Sequence, residues 1–315
     1  MTAKRIVISG ASGLVGGRLV PFLETSGYDV TRLVRRPARN AGESQWDPAK
    51  GVIDPHVVSG ADAVINLSGV SIAGKRWSEA RKQEIRRSRL DATSLLAETI
   101  AGLEHKPSAF ISTSATGYYG DGGSEILTEQ SPNGAGFLAD VCKWWESAAD
   151  PAVQAGVRVV HPRLGIVIAS EGGMLPQLKR LFGLGLGGRI GNGEQYMSWI
   201  DIDDLVRALE FLVSDPTIEG PVNAVAPSPL MNRDFTNTLG RTLGRPTFLP
   251  APEFAIRGIL GQMAEELVLV SQRALPERLQ NAGFEFQAPT MERSLQRQLV
   301  TQVRPEPTTP LARAA

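Results

Sequence analysis

Gly10, Gly13 and Gly16 punctuate the run Ile6-Val7-Ile8-Ser9-Gly10-Ala11-Ser12-Gly13-Leu14-Val15-Gly16, in which a short β-branched strand passes directly into an amphipathic helix. That spacing can cradle a pyrophosphate. Gly10 permits the tight exit from the strand, Gly13 leaves no Cβ between backbone and phosphate, and Gly16 lets the helix pack close to the strand. The free N–H groups and dipole of the helix N-terminus favour negative charge. The whole turn, with Ala11, Ser12, Leu14 and Val15 between the glycines, is therefore the expected cofactor cradle. A second strand, Tyr28-Asp29-Val30-Thr31-Arg32-Leu33-Val34, completes a β-α-β unit at the distance such a fingerprint requires.

The end of the second strand distinguishes the dinucleotides. A site for NAD places Asp or Glu there to bind the ribose 2′-hydroxyl, whereas this chain reads Val34-Arg35-Arg36-Pro37. Two guanidiniums offer planar, permanently charged partners for a 2′-phosphate. Arg35 and Arg36 thus predict NADP(H).

These residues need a scaffold, and the chain supplies its pattern. Ala63-Val64-Ile65-Asn66-Leu67, Ala109-Phe110-Ile111-Ser112 and Val157-Arg158-Val159-Val160-His161 read as buried strands. Helical patterns over about 78–100 and 137–155 separate them. The alternation implies an α/β fold, a Rossmann-type doubly wound parallel sheet with right-handed crossovers, whose ligands bind at the carboxyl ends of the strands. Gly10, Arg35, Asn66 and Ser114 would converge there. The glycine-rich stretch 183–193 predicts a mobile flap, within 170–198, and Asp203 or Asp204 is placed to cap the following helix. The expected organisation is a nucleotide-binding domain over 1–225, a small, mostly helical substrate or lid region over 226–303, and a loose tail over 304–315.

Composition bounds the function. Lys+Arg and Asp+Glu both total 33, so no net field points to nucleic acid or an anionic membrane. No apolar run approaches the ~20 residues of a membrane span, and no signal sequence is evident, so the expected location is the cytoplasm and the expected partner a small-molecule substrate. Self-association into a homodimer is left open. Cys142 is the single cysteine, and His56, His105 and His161 are scattered, which predicts no disulfide and no metal.

The glycine turn, Asn66-Leu67-Ser68-Gly69, the segment Ser112-Thr113-Ser114-Ala115-Thr116-Gly117-Tyr118-Tyr119-Gly120 and the stretch Trp199 to Asp204 resemble the extended short-chain dehydrogenases/reductases. Arg76-Trp77, Ser88-Arg89-Leu90, Leu249-Pro250-Ala251-Pro252 and Ala282-Gly283-Phe284-Glu285-Phe286 resemble, more narrowly, their epimerase-family subgroup. Some members of that subgroup are labelled cell-division inhibitors. The resemblance implies that Asn66 and Leu67 lie beside the adenosine ribose, that Arg89 faces the cofactor, and that Ser114 binds the substrate oxygen.

One departure bears on catalysis. The parent pattern carries Tyr and Lys four residues apart on one helical face, the Lys lowering the Tyr pKa for proton transfer. Aligning Glu146 with the glutamate that usually follows puts Leu138 and Cys142 at those positions. Neither can take the role. Ser114 remains to polarise a carbonyl, with Tyr118 or Tyr119 as the alternative proton donor. The resulting expectation is an oxidoreductase acting on a small carbonyl or sugar-like substrate. A weakly catalytic NADP(H)-sensing regulator, for example of cell division, and a nucleotide-sugar epimerase or dehydratase are the alternatives.

Overall fold

The computed structural model describes residues 3–300, so the tail expected over 304–315 lies outside the described residues. The chain opens with β1 (Arg5–Ser9), α1 (Leu14–Thr25), β2 (Asp29–Val34), β3 (Glu43–Gln45), α2 (Pro55–Val58), β4 (Ala63–Asn66), α3 (Glu79–Gly102), β5 (Ala109–Ser112) and β6 (Ser114–Ala115). After β7 (Ile126–Leu127) come α4 (Phe137–Ser147), α5 (Asp150–Gln154) and β8 (Arg158–Leu164). The main sheet runs β12-β8-β5-β4-β1-β2-β3, where β12 is Gly220–Ala224, and β6 pairs with β8. Every pairing in it is parallel. The order reverses between β1 and β4, which opens a crevice beyond their carboxyl ends.

Parallel strands are covered on both faces, and the central ones, β1, β4 and β5, are correspondingly apolar over most of their length. Ile6 and Ile8 of β1 point into one buried cluster with Leu19 and Leu23 of α1, while Val7 joins Leu96 and Ile100 of α3 in another. The helix expected over 137–155 is two helices. Pro151 has no N–H to continue the first, and it occupies the opening turn of α5 instead.

The remainder comprises β9 (Ile166–Ile168), α6 (Leu175–Gly183), β10 (Tyr196–Met197), β11 (Trp199–Asp201), α7 (Ile202–Ser214), β13 (Leu230–Met231), α8 (Asn232–Leu243) and α9 (Glu253–Leu260). It closes with a π-helical turn over Ala264–Val268, β14 (Arg273–Ala274), α10 (Glu277–Asn281), α11 (Met291–Leu295) and a second π-helical turn, Gln296–Val300. Each aspartate of 201–204 fastens this end of the chain. Asp201 caps α7 by accepting from the Asp203 N–H at 3.0 Å, and its carboxylate also accepts from Ser294 at 2.6 Å. The cap is therefore Asp201, not Asp203 or Asp204, because the residue ahead of the first turn is the one whose side chain can reach back to it. Asp204 instead accepts from the N–H groups of Gln287 and Ala288, both at 2.8 Å. Asp203 binds Arg18 of α1 and Arg297.

The glycine-rich stretch is tied at two points to residues 248–251. Gly188 bridges Phe248, Ile190 bridges Ala251, and the N–H of Ala251 donates to the Arg189 carbonyl at 2.8 Å. A Cβ on Gly188 would stand 1.5 Å from the Leu249 carbonyl oxygen. Close backbone approach, rather than mobility, accounts for glycine there.

Candidate functional site

The crevice is built around the β1–α1 turn. Gly10 has φ +73°, and a Cβ on it would meet the Leu67 carbonyl at 2.6 Å. Gly16 is buried, with space for a Cβ closed by the Gly10 oxygen at 2.4 Å. Gly13 differs. Its φ is −77°, it precedes α1 without a side-chain cap, and a Cβ would touch only the Gly10 oxygen at 3.3 Å. Ser12 and Gly13 are exposed, Leu14 is half-buried, and Ala11 and Val15 pack on the core. Uncapped first-turn N–H groups beside a surface that a side chain would fill are what a pyrophosphate requires, so these residues fit a dinucleotide. Gly172, in the loop before α6, lies so close to Leu14 that a Cβ would come within 2.8 Å of it.

At the end of β2 the two arginines differ. Arg36 donates two hydrogen bonds to Glu43, at 2.8 and 2.7 Å, and a third to the Pro37 carbonyl. Those bonds hold the Glu43 carboxyl down to about 2. Arg36 is thus not the free phosphate ligand the sequence implied, because a local carboxylate already takes its fork. Arg35 is exposed and has no ion-pair partner among the described residues.

Beneath the crevice, Asn66 is fully buried. Its Oδ1 accepts from Ser9 Oγ at 2.6 Å and from the Ser68 N–H at 3.1 Å, while its Nδ2 donates to Thr93 at 2.8 Å. Thr93 also accepts from the Trp145 indole at 3.0 Å. Asn66 therefore ties β1, β4, α3 and α4 together, and its side chain is spent on the scaffold; Leu67 presents its carbonyl to Gly10. Arg89 of α3 reaches the same loop. Its guanidinium donates to the carbonyls of Val70 and Ile85, lies against Gly69 and stacks over Trp145 at 5.0 Å. Burial lowers its pKa to about 10, and no carboxylate among the described residues pairs with it. A half-buried cation without an acid favours an anionic ligand.

Ser114 begins β6 and is buried, its hydroxyl beside the Cys142 thiol and otherwise without a hydrogen-bond partner among the described residues. Leu138 and Cys142 face the same turn: a Cβ on Gly117 would stand 3.4 Å from Leu138 Cβ and 3.7 Å from Cys142 Sγ. Burial pushes the Cys142 thiol up to about 11. The C-terminal region also enters here, as Glu266 accepts from the Leu138 N–H at 2.7 Å and caps α4. Nothing local in the sequence marks Glu266.

The adjacent tyrosines have separate fates. Tyr119 is buried; its hydroxyl donates to Asn223 at 2.6 Å and accepts from Arg163 at 3.0 Å, and burial raises its pKa to about 12. Its proton is held by the fold, which speaks against the catalytic role expected of it. Tyr118 is half-buried, its ring 3.5 Å from the Arg163 guanidinium, and no hydrogen bond among the described residues holds its hydroxyl. Arg163 is itself gripped by Glu146 through two bonds of 2.8 Å. A second arginine inside a strand that is mostly buried was the sequence signal for that pair. No group of three or more metal-ligating side chains occurs among the described residues, and none of their helices is long and apolar enough to cross a membrane.

Residues 6–223 match the model of the NAD dependent epimerase/dehydratase family, and 251–298 match a domain of unknown function, DUF1731. An epimerase family protein of Mycobacterium bovis is 44% identical over 290 residues, covering 92% of this chain and 96% of the relative. A chloroplastic epimerase family protein of Arabidopsis thaliana, an SDR39U1 homolog, is 36% identical, covering 89% of this chain and 82% of its own. Among solved structures, the human epimerase family protein SDR39U1 with NADPH superposes with a TM-score of 0.84 at 31% identity, covering 93% of this chain and 98% of that one.

Proposed function

The chain belongs to the NAD dependent epimerase/dehydratase family, and from that premise we propose that it binds NADP(H) and serves as an atypical short-chain oxidoreductase on a small carbonyl or sugar-like substrate. The observation that carries the cofactor preference is the unpaired, exposed Arg35 at the carboxyl end of β2, where a carboxylate would select NAD. The human relative crystallised with NADPH supports the same reading. Gly13 and the first turn of α1 would hold the pyrophosphate, Arg35 the 2′-phosphate, and Arg89 would supply a positive charge beside the loop after β4. When bound, the cofactor supplies or accepts hydride. The chain's own part is to hold the substrate oxygen on the Ser114 hydroxyl and to deliver a proton, for which Tyr118 is the better of the two tyrosines because its hydroxyl is uncommitted. Fluorescence titration with NADPH and NADH tests the proposal; equal affinities would overturn it.

A second reading has its own support. Aligned on Glu146, Leu138 and Cys142 stand where the family pattern has its acid–base pair, and the Cys142 thiol is raised by burial, which supports slow turnover or a cofactor-sensing role. Epimerase or dehydratase chemistry is disfavoured, since abstracting a proton beside a carbonyl demands the activated base that is missing.

A further inference from the structure

Aligned on Glu146, Cys142 stands where the family pattern has its lysine, and Lys143, next along α4, is exposed. The helix itself therefore brings no cation to the site. One arrives from α3 instead. Arg89 lays its guanidinium over the Trp145 ring at 5.0 Å, and Trp145 follows Cys142 by three residues, so the two share one buried face of α4.

The guanidinium and the thiol are close enough to act on each other, burial pushing the thiol up and the charge of Arg89 drawing it back down. Arg89 itself, lowered by burial to about 10, stays charged at neutral pH. On the other side of the thiol lies the buried Ser114 hydroxyl, and Leu138, one turn ahead of Cys142, lies with it against Gly117. Two other charges act in this space, and each is already paired: Arg81 with Glu84 and Glu146 with Arg163.

We propose that Arg89 supplies from α3 the positive charge that the family pattern carries on α4. Its use in catalysis rests on the oxidoreductase reading, whereas its placement does not. As a carbonyl takes hydride at carbon, its π pair moves onto the oxygen beside Ser114, where a fixed cation lowers the cost of the developing charge. The proton that completes the alcohol comes from Tyr118, and Arg89 transfers none.

Leu138→Tyr, with Cys142 kept, sets a phenol on this face and reports on the charge with neither cofactor nor substrate present. Difference absorbance against the native chain should show a tyrosinate step about 1–3 pH units below the ordinary phenol value of about 10. Adding Arg89→Met should carry the step to the ordinary value or above, since burial then acts unopposed. Arg89→Lys should keep it low, and Cys142→Lys should bring it back down in the Arg89→Met background, a recovery that a merely structural arginine would not allow. A step at or above the ordinary value with Arg89 in place, or one that Arg89→Met leaves unmoved, would overturn the proposal. Urea unfolding gives a second reading that needs no phenol. Cys142→Lys should lower the midpoint more in the native background than beside Arg89→Met, because only the first sets two cations in one space; additive losses would overturn the proposal as well. With the low step present but no carbonyl reduced, the placement of the charge stands and the oxidoreductase reading falls.

Discussion

Arg36 and Glu43 grip each other through two parallel hydrogen bonds, so the arginine pair at the end of β2 divides its labour and only Arg35 is free to meet a phosphate. Arg35→Ala should therefore remove most of the preference for NADPH over NADH. A charge-assisted contact of about 1.5–3 kcal/mol corresponds to a loss of roughly 10- to 150-fold, read by parallel titrations. Arg36→Ala should change the preference far less. Acid will not release Arg36 within the useful range. The Glu43 carboxyl is lowered to about 2, so its contribution is intact above the ordinary carboxylate range and is lost only as pH falls through that value.

The three glycines of the turn should fail differently. Gly13 has an ordinary φ and open space around its Cβ position, so Gly13→Val should fold and lose NADPH binding. Gly16→Ala would drive a methyl into the Gly10 carbonyl at 2.4 Å and should lower the thermal midpoint before any ligand is added. Calorimetry beside thermal denaturation separates the two. Normal NADPH binding by the Gly13 variant would remove the turn from the site.

Tyr119→Phe should act on stability and not on cofactor affinity. It strips a buried bond from Asn223 and another from Arg163, leaving both short of a partner, at a cost of about 1–3 kcal/mol in urea unfolding. Tyr118→Phe removes no hydrogen bond and should leave the unfolding midpoint unchanged while slowing reduction of a substrate.

The central sheet was legible because each strand is a short apolar run bounded by turns, and the glycine fingerprint lies within one β-α-β unit where local spacing is sufficient. What was hidden depends on which side chains pair. Glu43 lies only seven residues from Arg36, yet nothing in the spacing announces that it takes the guanidinium. Glu266 reaches α4 from 128 residues away, and Gly188 gave no local sign of its reason, the backbone of Leu249 lying against it. Periodicity reports which face is buried, whereas side-chain pairing is decided by the tertiary structure.

The last expectation concerns turnover itself. Leu138 and Cys142 both lie against Gly117, and the Ser114 hydroxyl lies beside the Cys142 thiol, so the proposed site holds no acid–base pair around its serine. The Cys142 thiol, at about 11, should resist alkylation at neutral pH in the native chain and react on unfolding. Ser114→Ala should depress reduction of a true substrate while sparing NADPH affinity, as a residue that binds only the reacting oxygen must. Leu138→Tyr combined with Cys142→Lys restores the family pair, and NADPH-dependent reduction of 4-nitrobenzaldehyde should rise, by up to the roughly 10²–10⁴ that a positioned acid supplies. A penalty accompanies the gain. The new lysine enters a buried space already facing the unpaired Arg89, so the thermal midpoint of the double variant should fall. If the native chain oxidises no NADPH across a panel of carbonyl compounds, and the double variant gains nothing though it still binds the cofactor, the oxidoreductase reading gives way to the cofactor-sensing one.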